Sequence, residues 1–388
     1  MITIQQDLLN SALGAVTRAS TKSTLMTVFA LVRLDVDTDG VLRLSCFNGE
    51  TAARATVNAD CSEDLSVSVD AATLKAVVET LAGQIRLSVE QNSLVIQGAS
   101  NRTTLRIVDE PFPVIAEEAL QPIATFSGNV FRSLARTLPF ASADDSRLIL
   151  QVLHLTFESE SVTAQTADGY SAGYVRESIE GQADSTNLSL PLSFARLLSA
   201  LVEERDTVRL GSAGPNRYLF QIANAESAKD LTLATVSGAE NFPAAQILTM
   251  IAEARRNAGT QIQTSQPSLL QSIRMVNAMG TQSTFIKTSN GMAKIASSET
   301  ETGQARNVLA GAASGEPISV WLSALFLKRA AEACKGELLM RITDGTKPIL
   351  IEAGNFTAVI MPMLVEVSKD PFPEDEAIEI SLPEMAMA

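Results

Sequence analysis

One pattern occurs three times in this 388-residue chain, and any fold must accommodate all three copies. Three segments carry apolar residues at helical spacing, as with Leu9, Leu13 and Val16 in the first. They are Leu8-Leu9-Asn10-Ser11-Ala12-Leu13, Val130-Phe131-Arg132-Ser133-Leu134-Ala135 and Leu269-Leu270-Gln271-Ser272-Ile273-Arg274. A second unit is a short alternating strand that runs into a helix. It reads Val67–Asp70 followed by Leu74, Val77, Val78 and Leu81, then Leu188–Pro191 followed by Phe194, Leu197, Leu198 and Leu201. Its third copy is Ile318–Trp321 followed by Leu325, Phe326 and Ala330, with Asp70 as an N-cap and Gly83 and Gly336 as stops. A proline motif closes each copy: Pro111-Phe112-Pro113, Asn241-Phe242-Pro243 and Ile360-Met361-Pro362. The shared order predicts three equivalent domains of roughly 120–130 residues, far longer than solenoid repeats of roughly 20–50.

Between the helices the chain reads as strands: Val32–Val36, Val41–Cys46, Val152–Phe157, Val208–Leu210, Tyr218–Ile222 and Leu338–Ile342, with turn signals such as Asp39-Gly40. Each domain is therefore expected to be α+β, two helices packed on antiparallel sheet. The boundaries fall at 1–120, 121–250 and 251–365, with linkers near 114–125 and 244–266. Residues 366–388 set seven acids against Lys369 and read as an acidic, disordered tail.

Lys and Arg total 30 against 44 Asp and Glu, a net charge of −14, which excludes a globally basic nucleic-acid binder but not a basic surface on one face. Cys46, Cys61 and Cys334 lie outside any CxxC, so a disulfide framework is not expected and a reducing cytosol fits. Residues 1–20 have no signal-peptide pattern and no apolar run approaches 18 residues, so a soluble, cytoplasmic protein is expected. A single histidine, His154, leaves no material for a His-based metal cluster, and it reads as a surface strand position. Asp144-Asp145, Glu117-Glu118 and Glu203-Glu204 read as solvated surface, and Cys46 and Cys334 as small buried hydrophobes. No GxxxxGK[ST], GxGxxG or GxSxG occurs. No catalytic set, metal site or cofactor emerges, and three similar domains then suggest a geometric scaffold: a ring around a polymer, or an adhesive array that the missing secretion signal disfavours. From another class, an enzyme on repeated α+β domains would have to use carboxylates such as Asp144 or Asp168.

Thr166-Ala167-Asp168-Gly169-Tyr170, Asn241-Phe242-Pro243 and Val359-Ile360-Met361-Pro362-Met363, set on a threefold repeat, resemble the β subunit of bacterial DNA polymerase III, the replicative sliding clamp, over residues 1–365. The resemblance implies a head-to-tail homodimer closing a six-domain ring, each domain giving two helices to an inner wall. The implied function is a non-catalytic processivity factor for DNA polymerase that encircles duplex DNA. The implied partners are double-stranded DNA without sequence preference, and the polymerase, clamp loader and repair proteins through short hydrophobic peptides. A divergent paralogue serving a specialised polymerase or a mobile element is the runner-up.

A clamp needs diffuse attraction to phosphates and no base reading. The implied DNA-facing residues are Lys22, Lys75, Arg132, Arg136, Arg196, Arg274 and Lys328, with Arg18 and Arg329 nearby. The family's peptide groove maps onto Leu150, Ala167, Gly169, Tyr170, Ser171, Ala172, Pro243, Ile247, Leu248, Val359, Met361, Pro362, Met363 and Leu364, and Met-rich lining suits several related peptides. The dimer edges map onto Arg102 and Ile107 on one side and Asn277, Ala278, Glu299 and Glu301 on the other. The chain departs from the family pattern in five places, one of them Asn277-Ala278, which is less apolar than the usual pair at that dimer edge. Ala72-Thr73 stands where adjacent basic residues are usual, Tyr170-Ser171-Ala172 replaces a frequent His-Arg-Leu, Ile247 stands at a basic position, and the tail is extra. Within the tail, Ile380-Ser381-Leu382-Pro383 is similar to the core of clamp-binding peptides, though a solubilising role is the plainer reading.

Overall fold

The computed structural model describes residues 1–22, 26–37, 40–113, 120–180, 183–238, 241–363 and 370–372. Its seven helices among the described residues are α1 (Gln6–Val16), α2 (Ala71–Glu79), α3 (Gly128–Leu134), α4 (Leu192–Leu201), α5 (Ala244–Asn257), α6 (Gln266–Ala278) and α7 (Ala324–Ala333). Three pairs, α1 with α2, α3 with α4 and α6 with α7, are the repeated units expected from the sequence. In α1 the stripe Leu9, Ala12, Leu13 and Val16 is buried, as its spacing requires. Asp70 caps α2 by accepting from the Thr73 amide at 2.7 Å, and Ser265 caps α6. Such a cap contributes about 1 kcal/mol.

The pairing of helices is reproduced atom for atom. The amide opening the first helix donates to a carbonyl just past the second: Gln6 to Gly83 (2.8 Å), Gly128 to Asp206 (2.6 Å) and Gln266 to Gly336 (2.9 Å). The side chains of Gln6 and Gln266 repeat the match, each donating at 3.0 Å to a carbonyl of the second helix, Val78 and Ala331. Gly83 and Gly336 do not themselves cap the helices, which end at Glu79 and Ala333; their left-handed φ of 71° and 74° aims the accepting carbonyls. In the middle copy Gly128 is required by proximity, since a Cβ would lie 1.8 Å from the Glu203 carbonyl oxygen.

The chain forms two compact units. The first comprises Met1–Ala135, Val152–Thr163 and Glu177–Glu240, and the second Arg136–Gln151, Ala164–Arg176 and Asn241–Ala388. In the first unit a five-stranded sheet runs Asp60–Cys61, Ile2–Gln5, Gln84–Glu90, Ser93–Gln97, Arg102–Arg106. An eight-stranded sheet spans two repeats, because Lys229–Val236 of the second pairs antiparallel with Thr51–Asn58 of the first, Leu231 opposite Ala55 through Thr235 opposite Thr51. The second unit repeats this joint: Ser171–Ser178 pairs antiparallel with Phe356–Ile360, from Ser171 opposite Ile360 to Val175 opposite Phe356. Ile349–Ala353, Glu337–Ile342, Thr260–Ser265 and Gly311–Gly315 extend that sheet. A separate four-stranded sheet runs Arg306–Leu309, Met292–Ser297, Ser283–Ser289, Ser319–Ser323.

Three expectations need correction. The stretch 244–266 is not a linker. It holds α5, whose Ile247, Ile251 and Ala254 form a buried stripe, and then the strand Thr260–Ser265. Arg255 secures α5 through Glu352 at 2.6 Å and Thr357 at 3.1 Å. The 114–125 linker is likewise shortened, since Gln121 already begins a strand. Nor is the whole of 366–388 free of the fold, because Phe372 is only 4% exposed. Leu364, Glu117-Glu118 and Ile380–Pro383 lie outside the described residues.

Candidate functional site

The site in the second unit is built on one turn. Asp168 accepts from the amides of Tyr170 (2.9 Å) and Ser171 (2.7 Å), and Ser171 Oγ donates to its other oxygen at 3.1 Å. Between them Gly169 adopts φ 92°, and a Cβ there would meet Arg147 Nη1 at 2.5 Å. That nitrogen donates to the Asp168 carbonyl at 3.0 Å. The first repeat makes the same turn with Asn48, which accepts from Glu50 and Thr51 ahead of a positive-φ Gly49.

The turn presents Tyr170 with more than half its surface exposed, 56%. Its ring stacks on Phe326 at 6.2 Å and 14°, and the Arg147 guanidinium lies 5.5 Å from its centroid. Arg329 covers Phe326 at 5.6 Å and pairs with Asp168 at 3.2 Å. The result is a layered Arg147–Tyr170–Phe326–Arg329 stack whose two ends are tied to one aspartate. Beside it the Met361 amide donates to the Tyr170 carbonyl (2.9 Å) and the Met363 amide to that of Trp321 (2.8 Å). Both methionines are 37% exposed.

The groove residues named from the sequence thus fall into two sets. Gly169, Tyr170, Leu248, Met361 and Met363 are exposed, with Pro243 and Pro362 partly so. Leu150, Ala167, Ser171, Ala172, Ile247 and Val359 are buried and support the surface from beneath. Ser142 joins two of these supports, its amide reaching the carbonyls of both Leu150 and Ala167. Sequence reasoning missed Arg147, Phe326 and the exposed apolar residues Leu148, Ile149 and Leu325 next to them. The one available signal was the run Leu148-Ile149-Leu150, apolar in a turn-rich stretch.

Asp144 accepts from the amide and hydroxyl of Ser146, which hold its carboxyl below the usual range, with Arg147 a lesser cause. Both candidate carboxylates of the enzyme reading, Asp144 and Asp168, are engaged in turns. His154 is half-buried rather than on the surface. Its Nδ1 lies 3.0 Å from Ser189 Oγ, and burial lowers its pKa. Cys46 and Cys334 are buried, and burial pushes both thiols up to about 12.

Of the basic residues assigned to DNA, Lys22, Arg132, Arg196, Arg274 and Lys328 are exposed and Lys75 is partly so. Lys75 and Lys328 occupy equivalent helical positions, each 3.7 Å from a glutamate one turn on, Glu79 and Glu332. Arg132 lies 3.9 Å from Glu204. Arg136 is corrected: its guanidinium donates to Ala333 O (2.8 Å) and Asn355 (3.1 Å) and sits 4.8 Å over the Phe356 ring, so it serves the second unit's interior. Its helical register with Arg132 is broken, because α3 ends at Leu134. Arg102 lies on the outermost strand of the five-stranded sheet, 2.7 Å from Glu90, with Ile107 half-buried beyond it. Asn277, Ala278, Glu299 and Glu301 are exposed, the two glutamates just ahead of the edge strand Arg306–Leu309.

No family model matches the chain. Among curated proteins it is 22% identical to the beta sliding clamp of Synechocystis over 393 residues, covering 92% of this chain and 98% of that protein. It is 26% identical to the beta sliding clamp of Streptomyces coelicolor over 172 residues, 44% of this chain and 45% of the relative. Among solved structures, the sliding clamp of Bacillus subtilis superposes with TM-score 0.85 at 16% identity, covering 94% of this chain and 99% of the other. The DNA polymerase III beta subunit of Thermotoga maritima gives 0.83 at 17%, again over 94% and 99%. The chain has the sliding-clamp fold, and its sequence is similar to those of bacterial beta sliding clamps.

Proposed function

We propose that this protein is a DNA sliding clamp: two copies, joined head to tail, close a ring around duplex DNA and hold partner proteins by short peptides, with no chemistry of its own. The observation that carries the reading is the twice-made joint. Antiparallel strand pairing links the first repeat to the second and the second to the third. Among the sheet edges of the described residues are Arg102–Arg106, the last strand of the first repeat, and Arg306–Leu309 of the third. An open edge is a template for pairing with another chain. The first edge carries Arg102 and Arg106, and the second follows Glu299 and Glu301. Joining them between copies repeats the internal joint a third time, and a heterologous contact of this kind makes a closed ring when its rotation completes a circle.

The exposed cations on the helix pairs supply non-specific attraction to phosphates, moderated by Glu79, Glu204 and Glu332. The Tyr170–Met363 surface supplies the peptide site. Its stacked aromatics and two methionines suit a short hydrophobic ligand. In place of the family's frequent His-Arg-Leu it offers Tyr170 backed by Arg147, which favours a specialised partner set as the second reading.

The test is topological. Protein loaded on circular DNA should remain bound through gel filtration and be lost when one double-strand cut is made. Retention after linearisation would show an electrostatic binder and overturn the ring. Because Asn277-Ala278 offers little apolar area, the dimer should dissociate on dilution in sedimentation experiments; a dimer intact at nanomolar concentration contradicts that.

A further inference from the structure

The three repeats can be aligned through the residue that precedes each second helix. Leu31 lies opposite Asp70, Val152 opposite Pro191 and Ser283 opposite Ser323. Two residues further on stand Arg33, His154 and Phe285, whose partners across the sheet are Ser68, Ser189 and Trp321. On the other side Arg33 faces Ser45, whereas Phe285 faces Ala296. The row is polar in two repeats and apolar in the third.

That apolar row is covered. Phe372, from the segment after the Met361-Pro362-Met363 motif, lies 6.4 Å from the Phe285 ring at 27°, and Phe285 lies 4.9 Å from Trp321. Lys294 Nζ sits 5.5 Å over the Phe372 ring. Lys287 pairs with the Asp370 carboxylate and donates to the Phe372 carbonyl at 3.0 Å, while Asp370 accepts from the Phe372 amide at 2.8 Å. Lys287 takes the place that Asp35 and Thr156 hold in the other repeats, so the charge here is complementary to an acidic ligand.

A further Phe-Pro motif, Pro371-Phe372-Pro373, follows the third repeat. Phe112, Phe242 and Phe372 are evenly spaced along the chain, and the Ile360-Met361-Pro362 match is off that period. In the first repeat Phe112 borders a cavity lined by Arg33, Asp35 and Ser45 and stays half-exposed. Among the described residues, only the third repeat combines an apolar row with a cation paired to the Asp of Asp-Pro-Phe.

We propose that this sheet face is a second peptide-binding site, other than the Tyr170–Met363 surface, that takes an Asp-Pro-Phe motif and is filled in cis by residues 370–372. Tethering gives a cis ligand an effective concentration in the millimolar range, so a site filled in cis binds the same motif as a free peptide at millimolar concentration or below.

Trp321 is the chain's single tryptophan and reports on the site directly. A chain ending at Ser368 should show red-shifted Trp321 emission and greater quenching by acrylamide. The peptide Lys-Asp-Pro-Phe-Pro-Glu at millimolar concentration should reverse both, and its Phe→Ala version should not. In the full chain, Phe372→Ala should reproduce the shift. If circular dichroism shows that variant unfolded, Lys287→Glu should reproduce it and Lys287→Glu with Asp370→Lys should restore the original emission. Unchanged emission on truncation, failure of the peptide to reverse the shift, or equal reversal by the Phe→Ala peptide each overturns the proposal.

Discussion

Replacing Asp168 separates the two things it does. As alanine it loses both turn bonds to the Tyr170 and Ser171 amides and the pair with Arg329. Losing side-chain acceptors of backbone amides costs about 1 kcal/mol by analogy with helix caps. Breaking one side of a fully buried ion pair costs about 3–5 kcal/mol. Here the Asp168 side chain is 12% exposed and that of Arg329 29%, so the guanidinium regains water. We therefore take about 1 kcal/mol for the pair, as for a solvent-accessible one. The sum, about 2 kcal/mol, corresponds to a melting-point loss of roughly 4–8 °C for a unit of this size. Asp168→Asn should keep the turn, because Asn48 makes the same one in the first repeat, and lose only the ion pair, for roughly half that shift. Trp321 lies in the second unit, so thermal unfolding followed by its fluorescence reads the relevant part. Equal losses in the two variants would mean that the turn bonds contribute nothing. No loss in either would mean that Asp168 does not hold the stack.

Arg136→Ala should lower second-unit stability by about 2 kcal/mol through its lost hydrogen bonds and ring contact, leaving the salt dependence of DNA binding unchanged. Arg132→Ala should do the opposite, reducing the slope of log affinity against log salt by about one with no change in melting. Gly128→Ala should destabilise the first unit by about 3 kcal/mol, since its Cβ would meet backbone at Glu203; unchanged melting would refute the close approach. The Cys46 and Cys334 thiols are pushed up to about 12, so the fold binds their protons more tightly than the unfolded chain does. Their contribution is complete below the ordinary thiol pKa and is lost as pH rises toward 12, at about 1.4 kcal/mol per pH unit per thiol. Only Cys61 should react with a thiol reagent at pH 8 before denaturation.

The threefold plan was legible because it rests on local signals: stripes such as Leu9–Val16, a cap such as Asp70, and strand runs flanked by turns. Helix α5 was missed for the opposite reason. Ile247, Ile251 and Ala254 do form a stripe, but it begins directly after Asn241-Phe242-Pro243, the motif that reads as closing the repeat, where a linker is expected. Arg136 was misplaced because helical spacing from Arg132 was extended past Leu134, where the helix tightens and turns. At the groove, Asp168-Gly169-Tyr170 and Met361-Pro362-Met363 are adjacent in sequence and could be named. Phe326 and Arg329 reach Tyr170 and Asp168 from α7, and no spacing along the chain encodes that approach.

The Phe372 site shows how the two kinds of information combine. The proline motif's even spacing is in the sequence, yet it has no stated partner there, and the acidic residues around it read as solvated tail. What gives the motif a binding partner is cross-strand register: Phe285, Ala296 and Trp321 are distant in the chain and become one row only when three strands pair. Register also shows that the equivalent rows of the other repeats are polar, so this face did not inherit its apolar character from the shared fold. A large apolar row on one face of a small sheet is costly unless covered. This chain covers it with its own residue, which ties the composition of the sheet to the segment beyond the third repeat. Replacing Phe285 by arginine, as in the first repeat, should therefore release Phe372 and expose Trp321, read as a red shift of its emission.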